Sequence, residues 1–329
     1  MRMIQTFTQL LHQKTKQKGM KTATIVADVL CISQDAAYRR IRNPESFRAD
    51  ELMKLAKEFE IDLNTMIHLG KNWFQGEFRL IGKDYSTHDY YRDINVYLEK
   101  AIERPNSLIL YGAQEIPMFY RFWFPAFAAF KAFVWQRDFL NDYRLRSVPF
   151  SAAMMPDERG FERLSDNYLQ IASEEIWCHE TLFSTLYQIH HYKECGLFAN
   201  EHEYHAVLDE YDFLVDHILA QAERGKKLHP YLPHVEGGDY RLYFSPLVSP
   251  DNTFLVKTVR DKIAFVNSQR NGVLISDCEH WVNTTDSWLE TCKNSGTLLS
   301  VTGAGPRNKL FRQEYAAKKR LLGLTDRRD

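Results

Sequence analysis

Basic side chains are concentrated at the start of the chain. Residues 1–42 contain eight basic side chains against Asp28 and Asp35, a formal charge of +6, whereas the other residues sum to −7 within a net charge of −1. Lysine and arginine neutralise phosphate groups, and a basic segment at one end of a near-neutral chain is typical of contact with nucleic acid. The eight side chains are Arg2, Lys14, Lys16, Lys18, Lys21, Arg39, Arg40 and Arg42.

The hydrophobic spacing predicts the helices that must position these charges. One helix ends near Gly19, and a second ends at Leu30. After a short turn, Ser33 is a good N-cap for a third helix over QDAAYRRIR, which Asn43 and Pro44 end. The residues expected to face inward on the second and third helices are Ile25, Val29, Leu30, Ala36, Ala37 and Ile41.

With this spacing, residues 1 to about 70 resemble the phage-repressor-like helix-turn-helix family of bacterial transcription regulators. The resemblance rests on AxxLCISQDAAYRRIR and on the following FRADELMKLAKEFEIDLNTMI, which would supply the last two of five helices. Ala27 occupies the small position where the two central helices cross. Cys31 occupies the turn position that glycine often holds, and this is a departure from the family pattern.

The resemblance implies two groups of DNA contacts. The side chains expected to face the major groove and read base edges are Gln34, Asp35, Tyr38 and Arg39. Those expected to contact phosphates are Lys21, Ser33, Arg40 and Arg42. We therefore expect a sequence-specific transcriptional regulator that binds double-stranded DNA, and a homodimer, because such proteins present two reading helices to half-sites about 34–36 Å apart.

A second hypothesis is a protein–protein interaction module or scaffold. Arginine-rich helices are often only solvated surfaces, and a helical N-terminal domain can keep its fold after losing DNA affinity. The two hypotheses differ in whether binding responds to salt, since contacts with phosphate release counterions.

The remaining sequence predicts a larger domain that is helical to about residue 225 and mixed α/β after 235. Together with the N-terminal five-helix domain this gives a protein that is mainly α with a smaller α+β part, whose small antiparallel sheet lies near the C-terminus. We assign residues 1–72 to the helix-turn-helix domain, 73–104 to a connector and 105–329 to a dimerisation and sensor domain. Two long helices within 155–225 are expected to form the dimer interface.

Candidate catalytic and metal-binding patterns are weak. Six histidines between residues 179 and 217 show no ligand spacing typical of zinc, and adjacent Glu174 and Glu175 fit a solvent-facing helix. Gly303 and Gly305 could expose backbone N–H groups to an anion, but too few residues follow for a dinucleotide-binding fold. We expect no enzyme, no cofactor and no metal site, and the pattern leaves open an effector that is a small molecule or a protein.

Residues 116–135 are almost continuously apolar. The charges of Arg121 and Lys131 and the prolines at 117 and 125 predict a buried core helix that is broken or bent near Pro125, not a membrane span. The five cysteines are scattered without a C-x-x-C pair. We therefore expect free thiols, a cytoplasmic location and no membrane contact.

Overall fold

The computed structural model describes residues 2–17, 19, 21–61, 63, 76–82, 85–155, 161–247, 251–268 and 272–322. The chain divides into two compact units, Met1–Trp73 and Phe74–Asp329. Of the two helices expected within residues 47–67, only the first lies within the described residues, since 62 and 64–67 are outside them.

The first unit has an all-helical described part with a small apolar core. Its helices are α1 (Arg2–Gln17), α2 (Thr22–Leu30), α3 (Gln34–Arg42) and α4 (Ala49–Glu58), with a 3₁₀ turn at Pro44–Ser46 before α4. Each helix contributes a narrow apolar stripe, as expected for surface helices that share one core. The core contains Phe7, Leu11, Ile25, Val26, Ala27, Leu30, Ala37, Phe47, Leu55, Ala56, Phe59 and Ile61.

The larger unit combines helices with a mixed sheet of nine strands in the described residues. The strands are β1 (Glu77–Leu80), β2 (Leu108–Ala113), β3 (Ala172–Trp177), β4 (Lys226–His229), β5 (Leu232–Phe244), β6 (Thr253–Lys257), β7 (Lys262–Ser268), β8 (Gly272–Ser276) and β9 (Thr297–Leu298). The helices are α5 (Thr87–Ile102), α6 (Pro125–Val134), α7 (Glu162–Gln170), α8 (His179–Glu194), α9 (Glu201–Arg224), α10 (Glu279–Asn294) and α11 (Ala304–Leu321).

The strand order is β1-β8-β7-β6-β2-β3-β5-β4, and β9 pairs with β5. At its centre, β3 is parallel to both β2 and β5, while β6 is antiparallel to β2. Parallel strands need long crossover connections, which the helices between β2, β3 and β5 supply. Both faces of the central strands are therefore covered, and β2 is almost completely buried.

The predicted fold class is wrong. The sheet is large and mixed, its strands extend through much of the chain, and it is not a small antiparallel sheet near the C-terminus. Residues 155–225 are not continuously helical either, because β3 interrupts them at Ala172–Trp177. The local sequence ASEEIW contains good helix formers, but pairing with β2 and β5, which are distant in sequence, overrides that preference.

The interpretation of Glu175 as a solvent-facing carboxylate is also wrong. Its side chain lies on β3 and is 0% exposed. The carboxylate accepts hydrogen bonds from Tyr120 Oη and Tyr168 Oη, both at 2.5 Å, from Trp177 Nε1 at 2.9 Å and from Tyr240 Oη at 3.2 Å. Four donors therefore satisfy a carboxylate that would otherwise be very costly to bury.

A buried lysine accompanies this carboxylate. Lys227 Nζ donates to the carbonyl oxygen of Tyr168 at 2.6 Å and lies 3.1 Å from the centre of the Tyr168 ring. Burial lowers the pKa of Lys227 well below its ordinary value, against the opposing influence of Glu175. Burial raises the pKa of Glu175 against the opposing effects of Tyr120, Tyr168, Lys227 and Trp177. Glu175, Lys227 and the donors around them thus form a network of polar groups inside an apolar core. Each of these groups is stabilised by hydrogen bonds with others in the network.

Replacing Glu175 with alanine should destabilise the larger unit by about 3–5 kcal/mol, because the change leaves three tyrosine hydroxyls and the Trp177 N–H buried without their acceptor. Urea unfolding followed by tryptophan fluorescence measures this loss. The matched control is Glu162→Ala, which removes an exposed carboxylate. A loss for Glu175→Ala as small as that of the control would contradict the importance of the buried group.

The apolar segment at residues 116–135 is buried and interrupted at proline, as predicted. It forms a 3₁₀ turn at Met118–Trp123 and then α6, which begins at Pro125. Among the described residues, no helix is long and apolar enough to cross a membrane.

The two segments predicted to form the long helices of a dimer interface fold as α7, β3 and α8 and as α9. The apolar face of α9, namely Tyr204, Leu208, Tyr211, Leu214 and Ile218, is buried in the core of the same chain. That face is therefore occupied without a second copy.

Candidate nucleic-acid interface

The turn between α2 and α3 has a defined backbone geometry. Cys31 adopts the left-handed conformation, with φ 53° and ψ 47°, and its N–H donates to the carbonyl oxygen of Asp28 at 3.3 Å. The N–H of Ile32 donates to the carbonyl oxygen of Ala27 at 3.0 Å. These bonds satisfy the last carbonyl groups of α2 and reverse the chain within three residues, as left-handed helix caps do.

Ser33 then starts α3 as predicted. Its backbone is extended and its hydroxyl accepts a hydrogen bond from the N–H of Ala36 at 3.2 Å. Ala37 is completely buried where α3 packs on α2, and Ala27 on α2 is buried as well. Small side chains at this crossing let the two helices approach closely, which fixes the outward face of α3.

That outward face carries most of the predicted DNA-binding residues. At about 100° per residue, the exposed side chains fall within an arc of about 140°. They are Gln34, Asp35, Tyr38, Arg39 and Arg42. The buried or half-buried residues of α3, including Ala37 and Ile41, lie on the opposite side, so the structure brings these five residues together on one surface.

Tyr38 is the large apolar group of this surface, with 56% of its area exposed. It lines a shallow concave region with Lys16, Gly19 and Lys21. Lys21, another predicted contact residue, is exposed at the N-cap of α2. The structure therefore extends the basic surface of α3 to the end of α1 and the start of α2.

Lys16 is an addition to the predicted contact residues. It belongs to the basic segment of residues 1–42, but its position on a helix before the motif does not predict that it lies beside Tyr38. The approach of α1 to α2 depends on a polar link, in which Thr22 Oγ1 lies 2.7 Å from both His12 Nδ1 and Thr15 Oγ1.

Arg40 differs from the other predicted residues because its guanidinium binds within the unit. Its Nε lies 3.0 and 2.9 Å from the two carboxylate oxygens of Glu51, and one terminal nitrogen lies 2.8 Å from Glu51 Oε1. Glu51 also accepts the backbone N–H of Arg48 at the start of α4. This carboxylate therefore joins α3 to the first turn of α4, and Arg40 points away from the exposed arc.

The ion pair also affects titration. The hydrogen bond from Arg40, against a smaller opposing effect of burial, lowers the pKa of Glu51 below its ordinary value of 4.5. Because the pKa of Glu51 is lower in the folded unit than in the unfolded chain, the pair stabilises the folded unit at pH values above the ordinary pKa of 4.5. This stabilisation is lost as the pH falls through the lower pKa of the folded unit.

The larger unit contains weaker candidates from the sequence. Arg307 follows the Gly303–Gly305 segment that could bind an anion. Its side chain is buried and donates to the carbonyl oxygen of Leu299 at 2.8 Å, so it binds the backbone of its own chain and is not exposed to an anion. In the described part of the chain, no group of three or more histidine, cysteine or acidic side chains could hold a metal. All five cysteines are free, as predicted.

Comparisons of the chain with known protein families, with curated proteins and with solved structures found no significant match.

Replacing Glu51 with glutamine should reduce the stability of the first unit by about 1–3 kcal/mol near neutral pH, because a charged hydrogen-bonded pair is lost. Hydrogen exchange of peptides covering α3 and α4, in the full-length protein, measures the change. The variant should also lose the acid-dependent destabilisation of the wild type. Equal exchange in the two proteins at pH 7 would contradict the role of this pair.

Replacing Cys31 with glycine should stabilise the first unit by about 0.5–1 kcal/mol, since glycine adopts the left-handed conformation without strain. Cys31→Ala is the matched control, because alanine removes the thiol and keeps the strain. The same exchange measurement applies. If the two variants are equally stable, the backbone at residue 31 is not under the proposed constraint.

Proposed function

We propose that this protein is a sequence-specific, DNA-binding transcriptional regulator that acts as a homodimer in the cytoplasm. The observation that carries the proposal is the exposed face of α3, where Gln34, Tyr38, Arg39 and Arg42 extend from one side of a capped helix. The helix follows a tight turn and is held from behind by α2 and α4. A helix presented in this way fits the major groove of duplex DNA.

The residue types suit contacts with bases at the start of α3 and contacts with phosphate near its end. Gln34, at the first position of α3, can form paired hydrogen bonds with an adenine edge, and Asp35 can accept from the amino group of cytosine. Arg39 can bind guanine, whereas Arg42, near the end of the helix, and Lys21 suit phosphate. Tyr38 can contact either the sugar–phosphate backbone or a thymine methyl group.

Arg40 takes a different role in this proposal. Its charge is balanced by Glu51, so it adds little to the attraction for phosphate. It holds α3 in its orientation on α4. Net positive charge on the reading surface comes instead from Arg39, Arg42, Lys16 and Lys21.

Dimerisation belongs to the proposal for a geometric reason. One short helix reads only a few base pairs, and two copies on half-sites about one helical turn apart supply the affinity of a specific regulator. The larger unit is the candidate for holding the two copies together. Since the apolar face of α9 is used internally, the dimer contact must use another surface.

Replacing Arg39 and Arg42 together with alanine should weaken binding to a labelled random-sequence duplex. It should also reduce the slope of log affinity against log salt concentration by about 1 to 2, since each phosphate contact contributes about 0.9. Fluorescence anisotropy over a salt series measures both quantities. Both side chains are exposed, so folding should be unaffected.

The matched control is Lys309→Ala with Arg312→Ala, which removes the same charge from an exposed part of α11. Its slope should equal that of the wild type. Equal slopes for the α3 variant and the wild type would contradict the proposal. Absence of wild-type binding even at low salt would favour the alternative, in which the helical unit is a protein–protein interaction module.

A further inference from the structure

The larger unit encloses a cavity of about 450 Å³ beside the ends of two parallel strands. Gln114 and Glu115, which follow β2 directly, line it, and so does Glu180 in the first turn of α8 after β3. In sheets with parallel strands, ligands commonly bind in the crevice outside the carboxyl ends of those strands. The volume lies in the lower half of the range of about 300–1,000 Å³ for small-molecule pockets.

Aromatic side chains form much of the cavity wall. They are Tyr90, Tyr91, Tyr111, Phe127, Trp135 and Phe139. These residues come from α5, β2, α6 and the turn after α6, so several elements present rings to one space. Flat rings around a cavity of this size favour a planar ligand, which gains from stacking as well as from burial.

The charged groups of the lining do not favour an anionic ligand. Glu115, Glu180 and Asp251 are acidic, while Arg121 and Lys131 are basic. Lys131 Nζ lies 2.7 Å from Glu115 Oε2 and 2.7 Å from Gln188 Oε1, so this pair is already satisfied. Arg121 donates to Tyr91 Oη and stacks on the Tyr91 and Phe122 rings. A phosphate or carboxylate would find no excess of positive charge.

The side-chain amides of Asn252 and Asn267 offer uncharged hydrogen-bonding groups to the cavity. Asn252 Oδ1 accepts the backbone N–H groups of Gln114 at 3.0 Å and Glu115 at 3.1 Å, which fixes the side chain at the cavity. Asn267 Oδ1 accepts from Tyr90 Oη at 2.7 Å. With both oxygens engaged, the amide nitrogens are the ends that can donate to a ligand acceptor.

Two hydroxyl groups on α8 provide an independent indication of a ligand. Thr185 is 1% exposed and lines the cavity, as does half-buried Ser184. Within the described part of the chain, neither hydroxyl has a hydrogen-bond partner. Buried hydroxyls without partners cost free energy and are uncommon, and a ligand that bonds to them would remove that cost.

From these observations we propose that the cavity binds a small, uncharged, planar heteroaromatic compound that has hydrogen-bonding groups at its edge. The rings of the wall stack on its faces, and Ser184 and Thr185 bond to its edge together with the amides of Asn252 and Asn267. This inference stands apart from DNA binding, because every residue that it uses belongs to the larger unit.

The test compares neutral compounds with matched anions. The probes are nicotinamide, adenosine and indole, and their counterparts are nicotinate, adenosine monophosphate and indole-3-acetate. Binding to the full-length protein is measured by ligand-observed NMR and by isothermal titration calorimetry. We expect saturable binding of at least one neutral probe, and binding at least tenfold weaker for its anionic counterpart.

Variants then locate the binding. Ser184→Leu, which fills the cavity and removes a hydroxyl, should abolish binding of the neutral probe. Tyr187→Leu changes an exposed residue of the same helix outside the lining and should not alter it. Thr185→Val should weaken binding roughly three- to tenfold and leave the melting temperature of the free protein unchanged or higher, because an unsatisfied hydroxyl is removed. If the Thr185 hydroxyl served only the stability of the fold, its removal would not change the affinity for the neutral probe.

The proposal is overturned if none of the neutral probes binds, or if an anionic counterpart binds more tightly than its neutral match. It is also overturned if Ser184→Leu folds normally and binds the probe as the wild type does. Circular dichroism and the melting temperature report whether each variant is folded, and Thr185→Val keeps the test decisive if Ser184→Leu is unfolded.

Discussion

The left-handed backbone conformation of Cys31 is the constraint on which the candidate interface depends. One residue at φ 53° reverses the chain between α2 and α3, so that Ala37 packs inward and Arg39 and Arg42 point outward. An ordinary helical conformation at this residue would continue α2 and place the polar face of α3 elsewhere. Ser33 and the Arg40–Glu51 pair then secure a geometry that the turn has already set.

The larger unit depends on a different arrangement, in which the central strands are buried on both faces. Parallel pairing of β3 with β2 and β5 encloses Glu175 and Lys227 among aromatic rings and covers the sheet with helices. The same pairing brings the ends of β2 and β3 together beside the start of α8, where the cavity lies. A polar core and a lined cavity thus both follow from the order of the strands.

Local pattern was sufficient for α2, α3 and the turn between them, and insufficient for the sheet. Caps and helical periodicity lie within a few residues of each other, so Ser33 and the bounds of α3 could be read directly from the sequence. The environment of Glu175 could not, since its partners Tyr120 and Tyr240 are distant along the chain. Arg40 illustrates an intermediate case: its place on α3 was predictable, whereas its bond to Glu51 required the packing of α4.

The central claim is that the start of α3 reads base edges, and selection of bound duplexes from a random-sequence library tests it most directly. The wild type should enrich a sequence with two half-sites about 10 base pairs apart. Gln34→Ala should retain binding and lose the base preference at one position of each half-site. No enriched sequence with the wild type, or an identical sequence preference in the two proteins, would contradict the account.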